Sequence, residues 1–96
     1  MSLPTLILGE ALMDCITQTD GSLLPLMGGS PFNLARATAL QGGQVGYLSP
    51  FSSDSFGQQL KARSIADEVR PMSPDSARPT SLAVVTVRAG QPSYGF

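Results

Sequence analysis

The residues best suited to chemistry in this chain form one stretch, Gly28-Gly29-Ser30-Pro31-Phe32-Asn33. Two glycines free the backbone to turn tightly and let a ligand come close to it. Ser30 reads as a helix N-cap and Pro31 as the first helical residue. Asn33 then stands on the first helical turn, beside backbone N–H groups that have no partner within the helix. Bare backbone, a helix N-terminus and one amide that both donates and accepts make a small polar pocket, suited to an uncharged polyol. The same hexapeptide also describes a capped helix after a Gly-Gly turn with no ligand at all. Upstream, the carboxylate of Asp14 interrupts an otherwise apolar run, Leu12-Met13-Asp14-Cys15-Ile16.

Composition narrows the chemistry further. At 96 residues the chain makes at most one small domain with a modest core. It has no histidine, which removes the usual general base and the commonest metal ligand. Any catalysis would fall to Asp, Glu, Lys or Ser, and no metal site is expected. Cys15 is the single cysteine, so an internal disulfide is excluded and the thiol reads as a small apolar side chain. The N-terminus lacks a charged region followed by a long apolar one, so the expected location is the reducing cytoplasm. The net charge is −1 and the six basic residues are scattered, which argues against nucleic acid and against an anionic membrane surface as partners. Apolar runs such as Leu6-Ile7-Leu8 are far too short to span a membrane.

The elements that must position the polar stretch follow from pattern. Residues 6–8 read as a strand of a parallel sheet, buried on both faces. Residues 11–17 continue as a second strand, and Asp20-Gly21 signals a hairpin turn. Residues 23–27 return, with Pro25 confining them to a sheet edge. Residues 31–41 form the clearest helix, with Ala35 and Ala39 allowing close packing, Leu34, Ala37 and Leu40 supplying bulk, and Gly42-Gly43 ending it. Residues 45–48 give another buried strand, so strand, helix and strand make a βαβ unit. Ser53 or Asp54 caps a second helix running to about Arg63, with Phe56 and Leu60 as its apolar pair and a break near Ser64. Residues 71–79, rich in proline and serine, read as loop. Residues 82–88 form a strand, Ala89-Gly90-Gln91-Pro92 turn it, and residues 93–96 begin its partner. A strand of four residues is no natural domain boundary, so more chain is expected after Phe96.

In this order the pieces resemble the N-terminal portion of a ribokinase-like (PfkB-type) carbohydrate kinase. Gly9-Glu10-Ala11-Leu12-Met13-Asp14 is similar to that family's opening strand. Gly28-Gly29-Ser30-Pro31-Phe32-Asn33-Leu34-Ala35 is similar to its Gly-Gly-x-x-x-Asn sugar-site helix. Leu40-Gln41-Gly42-Gly43 and Asp54-Ser55-Phe56-Gly57 match its first signature region, and Arg78-Pro79-Thr80 precedes strands like those of its lid. A dinucleotide-binding domain fits less well, because its glycine-rich turn should lead from the first strand directly into a helix, whereas here the first strand runs into a hairpin.

The resemblance implies an α/β fold: a three-layer αβα core with a small β-sheet lid, of which residues 1–96 are the N-terminal part and residues 11–17, 23–27, 82–88 and 93–96 the lid strands. It implies transfer of the ATP γ-phosphate to a hydroxyl of a sugar or sugar acid, with ATP and Mg as cofactors. Asp14, Gly28, Gly29 and Asn33 become substrate-binding residues, and a homodimer through the lid is admitted. Asp54 and Gly57 are explained by capping and close helix packing, and Arg78 and Arg88 by solvated charge. The catalytic Asp of the family lies in a downstream Gly-Ala-Gly-Asp motif that these residues do not contain, so no catalytic residue is assigned here, and a non-catalytic carbohydrate-binding fragment is the alternative. Ser49 and Ser52 stand where many relatives carry glycine. Ser30 stands where ribokinases proper often carry Lys, which leans the resemblance toward fructokinase-like or 2-keto-3-deoxygluconate-kinase-like members.

Overall fold

A computed structural model describes residues 3–88 and 91–95. The chain forms β1 (Thr5–Ile7), β2 (Leu12–Thr17), β3 (Leu23–Gly28), α1 (Ser30–Leu40), β4 (Val45–Tyr47), α2 (Ser55–Ala66), β5 (Val69–Pro71), β6 (Ser81–Arg88) and β7 (Gln91–Gly95). Two sheets result. The first is parallel, in the order β1-β4-β5, and the second is mixed, in the order β3-β2-β6-β7. In the second, β2 runs antiparallel to β3 and parallel to β6, and β7 runs antiparallel to β6.

The hairpin forms where the sequence places it. Gly21 takes φ +88, and the Asp20 carboxylate accepts from the Ser22 amide and hydroxyl. Pro25 pairs with Cys15 on β3, which is an edge strand as the missing N–H requires. Strand β7 covers Gln91 and Pro92, which the sequence assigns to a turn. Ala89, Gly90 and Phe96 lie outside the described residues.

Helix α1 buries Phe32, Ala35 and Ala39 and packs against β4. The alanines allow the close approach expected of them. Leu34 and Leu40 do not supply core bulk: they are 58% and 67% exposed. The turn at Gly29 sets the phase of the helix, which brings Phe32 inward and rotates Leu34 away at about 100° per residue. Strand β1 likewise buries only Ile7, with Leu6 exposed. The helices cover the face shared by Ile7, Val45, Tyr47 and Val69, not both faces.

Helix α2 runs unbroken to Ala66. The expected break at Ser64 is absent because Gly57, Leu60 and Ser64 form one buried face, and the Ser64 hydroxyl donates to the Lys61 carbonyl. A satisfied hydroxyl can be buried at little cost. The residues after α2 form β5, where the pattern suggested no strand before the loop. Val69 is its one buried residue, and three residues containing Arg70 and Pro71 carry too weak a period to read. An ion pair ties the two helices: the Arg36 guanidinium lies 2.6 Å from Asp67 and 5.3 Å from the centre of the Phe32 ring.

The turn out of α2 holds Glu68 at φ +67, the left-handed region that glycine occupies without strain. Glu68→Gly should therefore stabilise the protein by about 0.5–1 kcal/mol. A urea denaturation curve with an unchanged slope and a raised midpoint is the expected result.

Candidate functional site

Two of the crossings between the sheets meet at one junction, where β1 leads into β2 through Gly9-Glu10-Ala11 and β3 leads into α1 through Gly29. Three glycines permit it. Gly29 takes φ +98, and a Cβ there would lie 2.5 Å from the Glu10 carbonyl oxygen. Gly9 takes φ +153, and a Cβ there would lie 2.2 Å from Pro31. A Cβ on Gly28 would lie 2.2 Å from an Asp14 carboxylate oxygen.

Gly29, not Ser30, is the N-cap of α1, and Ser30 is the first helical residue with no side-chain cap bond. The positive φ at Gly29 starts the helix one residue earlier than a serine cap would. The Asn33 backbone N–H donates to the Gly29 carbonyl at 2.9 Å, closing the first turn, and the Asn33 residue is exposed. The N–H groups of Ser30 and Phe32 are left at the helix start, since Pro31 has none. Of the four residues singled out by sequence, Asp14 thus lies against Gly28, and Gly29 and Asn33 share the adjoining first turn of α1.

Beneath it lies an aromatic cluster. Phe32 meets Tyr47 and Phe51 edge-on, with ring centres 6.4 and 6.3 Å apart, and Tyr47 stacks on Phe51 at 5.2 Å. All three are buried, and such rings contribute about 2–3 kcal/mol each by burial. The Tyr47 hydroxyl donates to the Gly9 carbonyl, and the Gly9 amide donates to the Ser49 hydroxyl at 2.8 Å. Burial first, and the charge of Glu10 second, push the Tyr47 hydroxyl up to about 12. It stays protonated and donates throughout the physiological range.

The chain has five aspartates, and their surroundings separate them. Asp20 accepts from Ser22, Asp67 pairs with Arg36 and Arg63, and Asp75 pairs with Lys61 and Gln58. Asp54 caps α2, accepting from the Gly57 amide at 2.7 Å, and also accepts from the Thr80 amide at 2.7 Å and the Thr80 hydroxyl at 2.6 Å. Those bonds, the Thr80 hydroxyl's foremost, hold its carboxyl down at about 2. Asp14 differs: it is half-buried, and among the described residues nothing donates a hydrogen bond to it. A carboxylate in that state can grip ligand hydroxyls.

A sequence profile of the pfkB family carbohydrate kinases matches residues 5–95. The chain belongs to this family. It is 30% identical over 99 residues to the fructokinase of Escherichia coli, covering 100% of this chain and 32% of that one. It is 33% identical over 94 residues to the fructokinase of Klebsiella pneumoniae, covering 94% of this chain and 30% of that one. The crystal structure of fructokinase with bound ATP from Xylella fastidiosa superposes with a TM-score of 0.85 at 30% identity, covering 99% of this chain and 33% of that one. The chain thus spans about a third of the length of the curated relatives it matches. The ribokinase-like α/β fold expected of a pfkB kinase is the fold observed.

Sequence reasoning missed two contributors to the structure around this junction. Tyr47 supports the junction across 38 residues and Thr80 meets Asp54 across 26. Neither separation leaves a local pattern to read. Among the described residues no helix is long and apolar enough to cross a membrane.

Two outcomes test the site's construction. Gly29→Ala meets backbone and demands a strained φ, so it should cost about 2–4 kcal/mol, whereas Gly28→Ala meets only a movable carboxylate and should cost under about 1.5 kcal/mol. Chemical denaturation of the two variants measures the difference. The Asp54 carboxyl lies below its ordinary value of 3.8, so the stability it contributes is complete above that value and is lost as pH falls toward 2. Asp54→Asn should flatten the acid limb of a stability–pH profile and leave the limb above pH 5 parallel to wild type.

Proposed function

We propose that this chain supplies the sugar site and lid of an ATP-dependent sugar kinase of the fructokinase type. The observation that carries the reading is Asp14: a half-buried carboxylate without a donor among the described residues, set against Gly28 within the stretch that the family profile matches. Asp14 accepts hydrogen bonds from two adjacent sugar hydroxyls, as an ionised carboxylate can. The Asn33 amide, one helical turn from Gly29, donates to one sugar oxygen and accepts from another hydroxyl. Gly28 and Gly29 let the ring lie against bare backbone. The four-stranded sheet acts as the lid, excluding water so that transfer goes to the sugar and not to solvent.

ATP, with Mg, supplies the phosphoryl group in such a reaction. On this reading both are held by residues downstream of Phe96, together with the base that deprotonates the acceptor hydroxyl. The residues described here bind and orient the sugar, and phosphoryl transfer depends heavily on such positioning. Fructose is the leading substrate because the fructokinases of Escherichia coli and Klebsiella pneumoniae match along nearly the whole chain.

The full-length protein should consume ATP when given fructose in a panel of sugars and sugar acids. Asp14→Ala or Asn33→Ala should then raise the sugar KM about 10- to 100-fold, from one or two lost hydrogen bonds worth roughly 1.5–3 kcal/mol each, with the KM for ATP little changed. Wild-type sugar kinetics in both variants would remove these residues from the site. Absence of turnover on every sugar would overturn the kinase reading itself.

A further inference from the structure

Three chain segments pass between the parallel sheet and the four-stranded sheet. Two are short and sit at the glycine junction. The third is the loop from Met72 to Thr80, most of which is exposed and which delivers the chain to β6. Strand β6 is the parallel neighbour of β2, with Ser81 opposite Leu12 and Ala83 opposite Asp14. The start of β6 therefore helps fix the strand that carries Asp14.

Polar bonds help hold that start. An open cavity of about 280 Å³, lined by residues that include Glu10, Ser49, Phe51, Ser52, Thr80 and Ser81, lies beside it. Thr80 is tied to Asp54 through both its amide and its hydroxyl, and the Ser81 hydroxyl donates to Glu10. The other side of the tie is rigid. Helix α2 lies so close to the preceding backbone that a Cβ on Gly57 would come 2.1 Å from the Ser52 carbonyl oxygen. The Asp54 amide in turn donates to the Ser52 hydroxyl at 3.1 Å, and the Ser53 amide donates to the Ser76 carbonyl at 2.8 Å.

An N-cap needs one acceptor oxygen and one bond to the helix start. Asp54 spends Oδ1 on both Gly57 and Thr80, and Oδ2 on Thr80 alone. Capping does not require that second oxygen. We propose that Asp54 is a positioning residue for the sugar site: its carboxylate clasps the N-terminus of α2 to Thr80 and so fixes the start of β6, the strand that pairs with β2 and its Asp14. The inference rests on the sugar-kinase reading for its kinetic consequence, and on geometry alone for its structural one.

The test uses the full-length protein with three variants. Asp54→Ser keeps a cap for Gly57 but is too short to reach Thr80. Thr80→Val removes the hydroxyl and leaves the cap. Thr80→Ser restores a hydroxyl. Hydrogen–deuterium exchange of residues 81–86 should speed up about tenfold in the first two variants, with exchange in α2 unchanged. The sugar KM should rise about five- to tenfold at temperatures well below the melting midpoint, with kcat within about twofold. Thr80→Ser should bring both back to wild type. Unchanged exchange in residues 81–86 would overturn the clasp, and so would faster exchange with an unaltered sugar KM in an active enzyme. If the wild-type protein phosphorylates no sugar, the kinase reading fails, and the exchange arm still decides whether the clasp holds β6.

Discussion

A side chain at position 29 would place its Cβ 2.5 Å from the Glu10 carbonyl oxygen. The arrangement of both sheets follows from that backbone contact. It lets the chain leaving β3 pass directly against the chain joining β1 to β2 before turning into α1. Gly9 makes the reciprocal allowance, leaving room for Pro31. The aromatic rings of Phe32, Tyr47 and Phe51 fill the space below, and the Tyr47 hydroxyl satisfies the Gly9 carbonyl that the turn would otherwise bury without a partner. Apolar burial supplies the energy here, and the hydrogen bond fixes the geometry.

The polar groups around this junction divide into two kinds. Asp54, Asp67 and Asp75 each accept from protein donors, and they join elements: α2 to the start of β6, α1 to the end of α2, α2 to the loop before β6. Asp14 lies among the strands of the second sheet with its carboxylate against Gly28 and no donor among the described residues. The sugar proposed for this site would bring the missing donors. A small domain can leave one half-buried carboxylate unpaired if water reaches it, and a ligand hydroxyl then replaces water at modest cost.

The four-stranded sheet contributes to the site differently from the core. Its strands β2 and β3 carry Asp14 and Gly28 at neighbouring positions across one register, with Leu12 opposite Gly28 and Asp14 opposite Leu26. A one-residue slip would turn Asp14 to the other face and bring Met13 or Cys15 in its place. Burial of Met13 and Cys15 against the core guards against that slip.

Much of this was legible in the chain itself. Gly-Gly before Pro and Asn marked a tight turn into a helix, Asp20-Gly21 marked the hairpin, Pro25 marked an edge strand, and Asp54 marked a cap. These are short-range signals, since each depends on φ, on a missing N–H or on a side chain reaching three residues ahead. The motifs in order also pointed to the pfkB kinases. What stayed hidden depends on partners far along the chain. The sequence allowed Leu34 and Leu40 as core, yet the phase set at Gly29 turned them outward. It suggested a break at Ser64, yet a buried hydroxyl bonded back to Lys61 kept the helix whole. Hydrophobic character alone does not say which face of a helix meets a sheet, and a cap signal does not say that the same carboxylate will also hold Thr80. Local sequence determined the hairpin turn, the glycine turn into α1 and the Asp54 cap, while the cap of α1 fell on Gly29 and not on Ser30. The tertiary structure decided which aspartates accept from distant parts of the protein and which, among the described residues, has no donor, because donors from distant segments arrive only when the chain has folded.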